Sequence, residues 1–138
     1  MNNVEILYPV LAHMFLVVFL FIPLIMRKSK AVKNKAVDLK ETALNNQAWT
    51  SDVKKVSNNI ANQFEIPVLF YALCMIIALT DNVGVLNTAL AWGFVALRYV
   101  HTYVHIGSNF VPLRMRIFAL SLVIVLVMLI QTAVLLIP

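Results

Sequence analysis

The chain has 138 residues, of which 62% are hydrophobic and only 12% charged, and its mean hydropathy is +0.87. A soluble domain of this size cannot hide that much apolar surface, so lipid must solvate most of it. The formal charge of +5 reflects eleven Lys and Arg against six Asp and Glu, and eight of the eleven fall between Arg27 and Lys55. So concentrated a basic stretch marks membrane topology and attraction to anionic head groups, not a nucleic-acid surface.

Apolar runs of about the 20 residues needed to cross a hydrocarbon core occur at Val4 to Met26, Ile60 to Thr80, Val83 to Ile106 and Ile117 to Ile137. The expected fold is therefore an all-α, integral-membrane four-helix bundle. Its helices cover about 4–26, 52–80, 83–106 and 112–137, and a cytoplasmic basic loop covers 27–51. The first run is too long for the apolar core of a cleavable leader and is taken as a helix. Arg114 and Arg116 follow the third run, whereas the turn Thr80-Asp81-Asn82 carries no basic residue. The positive-inside rule then places the first and third connections in the cytoplasm and both termini outside.

In chain order, helix one is apolar apart from His13, which is read as a packed or interfacial side chain. The stretch through Asn46 has no regular apolar period and reads as a loop. Trp49 suits an interfacial anchor. Ser51 is the expected N-cap of a second helix that begins at Asp52 and runs into the membrane unbroken. Pro67 is expected to kink that helix. Cys74 lies within the span and reads as a small packing residue. Gly84 and Asn82 make the exit into helix three, Gly107-Ser108-Asn109 ends it, and Pro112 suits the first turn of helix four. So short a connection requires helices three and four to pack as an antiparallel hairpin.

Ionisable and amide side chains inside spans are costly and usually face the protein interior. Helix two carries Asn58, Asn62 and Glu65 at i, i+4, i+7, and helix three carries Arg98, His101 and His105 at i, i+3, i+7. Each set forms one stripe. At about 1.5 Å per residue, Glu65 and Arg98 lie roughly 8 and 12 Å from the cytoplasmic edge. Being nearly level, they are expected to pair, within a subunit or across a contact. Toward the cytoplasm follow His105, Arg114, Arg116, Lys54 and Lys55, which make a cationic mouth on oily walls suited to one anionic and one greasy ligand. No metal site is expected.

The segments Asn62-Gln63-Phe64-Glu65-Ile66-Pro67 and Arg98-Tyr99-Val100-His101-Thr102-Tyr103-Val104-His105, followed by Pro112-Leu113-Arg114, resemble the signatures of the MAPEG family, the membrane-associated proteins of eicosanoid and glutathione metabolism. The resemblance covers nearly the whole chain, as one transmembrane domain of bacterial type, and implies a homotrimer in a bacterial plasma membrane. It implies glutathione bound between subunits near the cytoplasmic face, and a lipophilic small molecule arriving from the bilayer. By position, Asn62 and Glu65 look like the family's glutathione contacts, Arg98 like its supporting buried Arg, and His101 like the helix-three His or Tyr. Arg114 looks like the catalytic Arg that activates the thiolate.

Lys55 and Asn58 complete the expected glutathione-binding set, together with His105 where the family has Tyr. Asn58 and Ala61 stand where glutathione-using members carry Arg. Lysines at 54 and 55 could substitute, without the bidentate fork of a guanidinium. Three functions follow: a glutathione-dependent transferase or peroxidase, a non-catalytic scaffold that binds lipid or a partner, and an ion path along Glu65, His101 and His105.

Overall fold

A computed structural model describes residues 2–137. Helix α1 spans Leu7–Lys33, about 40 Å at 1.5 Å per residue, and ends with Lys30 and Lys33 in its last turn, where the helix dipole favours cations. The following stretch is more ordered than its lack of apolar period suggests. It holds a short α2, Leu39–Thr42, and a 3-10 turn, Asn46–Ala48. Local side-chain caps explain this difference: Asp38 Oδ1 accepts from Lys40 N at 2.8 Å, and Asn45 Oδ1 from Gln47 N at 2.9 Å. Trp49 is anchored by Lys28, whose Nζ lies 4.7 Å from the ring centroid.

The expected continuous second helix is interrupted. Helix α3 spans Ser51–Gln63 and α4 spans Ile66–Leu79, with Phe64 and Glu65 between them. Pro67 explains why the break falls there: it lacks an N–H for the Gln63 carbonyl, and its fixed φ suits the first turn of a new helix. At the start of α3, Thr50 takes the cap position instead of Ser51, and Asp52 lies in the first turn as expected. Helix α5 spans Val85–Ile106 and α6 spans Val111–Leu135, with Pro112 in the first turn of α6. These two form the most extensively packed pair, which is the expected hairpin. Asn109, at φ 53, turns the chain between them.

Among the described residues, three stretches are long and apolar enough to cross a membrane: Leu7–Lys33, Ser51–Leu79 taken across its break, and Val111–Leu135. Helix α5 has 22 residues and packs among them. No strand occurs among the described residues. The apolar core fills the half of the bundle away from the basic loop. There Phe70 and Phe94 stack with ring centroids 4.3 Å apart, and Cys74, Ile77 and Met128 are fully buried. Large apolar side chains on the outer faces of α1 and α6, such as Phe15 and Leu126, are exposed, as contact with lipid requires.

Candidate functional site

Below the apolar core the interior becomes polar. Arg98 on α5, wholly buried, donates from Nε and Nη2 to Gln63 Oε1 at 3.1 and 2.9 Å, and from Nη2 to the Asn62 carbonyl at 3.0 Å. That carbonyl belongs to the last turn of α3, so the guanidinium caps the negative end of the helix where it breaks. The break and the buried cation thus belong to one arrangement.

The polarity of the whole network follows from Arg98, because a guanidinium only donates. Gln63 must present Oε1 to it, and so also accepts from His13 Nε2 at 3.0 Å. His13 Nδ1 is left to accept from the Tyr71 hydroxyl. On its other side Gln63 Nε2 donates to Asn59 Oδ1 at 3.2 Å and to Thr102 Oγ1 at 3.1 Å, and Thr102 donates onward to Asn59 Oδ1. Asn59 Nδ2 must then donate to His105 Nδ1, at 3.2 Å, which puts that ring's proton on Nε2. Four helices are tied by one chain of bonds.

The expected Glu65 to Arg98 pair does not form within the chain. Glu65 sits in the break after α3 and is exposed, and the only ion pair among the described residues is Lys55 to Asp52 at 3.8 Å. Asn58 is exposed and Asn62 half-buried, so the stripe at 58, 62 and 65 points out of the subunit. The inward stripe is its neighbour, one residue on: Val56, Asn59 and Gln63. His105 is committed to Asn59, and Lys55 donates to the Gly107 carbonyl at 3.4 Å. Lys55 lines a separate cavity of about 470 Å³ with Arg27 and Lys30.

Three of the expected residues do converge. Asn62, His101 and Arg114 line one groove of about 330 Å³, whose other walls are Met115, Phe118, Ala119 and Leu122. Arg114 Nη1 donates to Asn109 Oδ1 at 2.7 Å, which holds the guanidinium at the rim. Behind it, two buried nitrogens have no partner: His101 Nδ1 and Arg98 Nη1. Buried polar nitrogens without partners are rare in folded proteins and signal either strain or a ligand position. Phe118 bridges the two parts, 5.9 Å from the Arg98 guanidinium and 6.0 Å from the His101 ring.

The groove is polar at one end and oily at the other, which suits an amphiphile or two ligands of opposite character. Among the described residues no group of His, Cys, Asp or Glu could hold a metal ion. The residues that hydrophobic periodicity missed are Asn59, Gln63 and Thr102. The adjacent amide pairs Asn58-Asn59 and Asn62-Gln63 are the signal that could have found them, because two neighbouring faces of one helix are then polar.

An all-helical bundle with three candidate membrane spans among the described residues fits an integral membrane protein, and its groove joins polar to apolar walls. The model of the MAPEG family matches residues 6–134, and the chain belongs to that family. No curated protein and no solved structure gives a significant match.

Proposed function

We propose that the chain is a glutathione-dependent transferase or peroxidase acting on lipophilic electrophiles. In this reading it works as a four-span homotrimer, with both termini outside a bacterial plasma membrane. The observation that carries the reading is the groove, which puts Arg114, His101 and Asn62 at the polar end of an apolar wall. A guanidinium beside the glutathione sulfur stabilises the thiolate. The thiolate then attacks an electrophilic carbon held against Phe118 and Leu122, and the leaving group departs with the bonding pair. Family membership supports the reading without deciding it, since fold alone does not settle chemistry.

The residue roles divide differently from the simple stripe. Asn62, His101 and Arg114 are the ligand contacts, whereas Arg98 and His105 position the wall behind them. In a trimer the outward Asn58 and Glu65 would face a neighbouring subunit and complete the glutathione site from across the contact. Self-association also gives exposed polar side chains near the membrane a partner.

A second reading, a non-catalytic scaffold that binds lipid or a partner, is favoured by one observation: exposed Asn58 and Ala61 supply no guanidinium for the tripeptide carboxylates. Equilibrium dialysis of detergent-purified protein against glutathione separates the two. Retention with thiol consumption toward a generic aromatic halide supports the enzyme; absence of retention refutes it. With glutathione bound, Arg114→Ala should slow conjugation by roughly ten-fold or more, since the thiolate fraction near neutral pH follows the stabilising cation. Unchanged rates would remove Arg114 from the chemistry.

A further inference from the structure

The opposite end of the bundle holds a further cavity that shares no residue with the groove. It measures about 430 Å³ and lies between the start of α5 and the end of α6, lined by Asn82, Gly84, Asn87 and Gln131 with Leu86, Ile130, Val134 and Leu135. Nothing lies within 4 Å of the point where a Cβ on Gly84 would sit, so the space is open on that side. Its polar residues are three amides without a formal charge. Asn87 is 6% exposed and donates from Nδ2 to the Asn82 carbonyl at 3.1 Å, which holds the amide in place.

Gln131 makes no such bond, and its Oε1 is buried without a partner, as is the hydroxyl of Thr88 next to Asn87 on α5. A buried amide oxygen with no donor is destabilising, and replacing it by Leu would remove that cost. Gln131 is among the residues that line the cavity, and a ligand donor reaching its amide would relieve that cost.

We propose that this cavity is a binding site for a neutral, hydroxyl-bearing amphiphile of the bilayer, its head group on the amides of Asn87 and Gln131 and its chain along Leu86, Ile130 and Val134. The chemistry selects the head group. A hydroxyl both donates and accepts, which is what an amide pair can satisfy, whereas a phosphate or quaternary ammonium would meet no countercharge there. Leu86, Ile130 and Val134 are exposed on α5 and α6, so an acyl chain laid along them stays open to the surroundings of the bundle.

The test uses a monoacylglycerol carrying a photoreactive diazirine in its acyl chain, added to the full-length protein in liposomes, with adducts mapped by peptide mass spectrometry. Labelling should concentrate at residues 82–87 and 130–135 and exceed that by a lysophosphatidylcholine of the same chain. Gln131→Leu, which loses no hydrogen bond of the fold, should reduce the monoacylglycerol adduct by roughly five-fold, the worth of one neutral hydrogen bond. It should leave labelling near Arg114 unchanged. Equal labelling by both head groups, adducts confined to other segments, or a folded Gln131→Leu protein that labels as the parent does would each overturn the site. Asn87→Ser keeps a short polar group and checks the second contact independently, with an expected partial loss of the adduct.

Discussion

Two faces of α3, one residue apart in sequence, meet opposite fates. The inner face puts Asn59 and Gln63 into a closed network in which nearly every donor and acceptor has a partner. The outer face leaves Asn58 exposed and Asn62 on a groove, with Glu65 exposed just beyond. Both are polar, yet only the inner one is consumed in holding the fold. Polar side chains within a membrane bundle are therefore of two kinds: those that satisfy one another, and those still free to meet a ligand or another subunit.

The sharpest way to break this comparison is to exchange one residue on each face. Gln63→Leu takes away the oxygen that receives two bonds from Arg98 and one from His13, and strands a buried guanidinium. A loss of roughly 3 kcal/mol is expected. Adding Arg98→Leu should recover part of it, because the double change removes the charge as well. Glu65→Leu should alter stability by only about 0.5 kcal/mol, as for other exposed positions. Cys74 is the chain's single cysteine and is fully buried, so its reaction with a thiol-reactive dye on heating reports unfolding directly. If Glu65→Leu proved as damaging as Gln63→Leu, the division between the two faces would be wrong.

Smaller effects grade the inner face itself. Asn59→Leu should cost about 2 kcal/mol, because Thr102, Gln63 and His105 each lose a partner in a site that water does not reach. Tyr71→Phe removes only the hydroxyl that bonds His13 Nδ1 and should cost about 1 kcal/mol. The same thermal assay checks both, and the order of the two midpoints matters more than either value. Were Tyr71→Phe the more damaging, the network would be anchored at its membrane-centre end and not at Arg98.

Much of the architecture was legible in the sequence because the signals are long and redundant. Apolar runs located the helices, and Gly84, Gly107 and Pro112 marked the turns around α5. The site was less legible for a geometric reason. Neighbouring residues on a helix are 100° apart, and α3 has amides on two adjacent faces at 58-59 and 62-63, so spacing alone does not say which turns inward. Charge pointed to Glu65 as the acceptor for Arg98, and within the chain a neutral amide takes that role. The break at Phe64 and Glu65 decides this, since it swings the acid outward after Gln63 has already met the guanidinium. Pro67 hinted at a bend without revealing that a carbonyl freed by it would be capped by Arg98.

The outer face can be sharpened without disturbing the inner one. Asn58 and Ala61 are both exposed, and both stand where the family resemblance calls for arginines. Placing Arg at the two positions should leave the thermal midpoint almost unchanged, because neither side chain touches the network and surface changes are usually worth within about 0.5 kcal/mol. Each guanidinium offers a planar fork to a carboxylate, so glutathione binding by dialysis should tighten by roughly ten-fold if the tripeptide lies along this face. Tighter binding with faster thiol consumption would mean that the parent protein is a weakened form of the same enzyme. Added arginines that leave glutathione binding untouched would mean that the outer face of α3 meets something other than the peptide, and the scaffold reading would then hold.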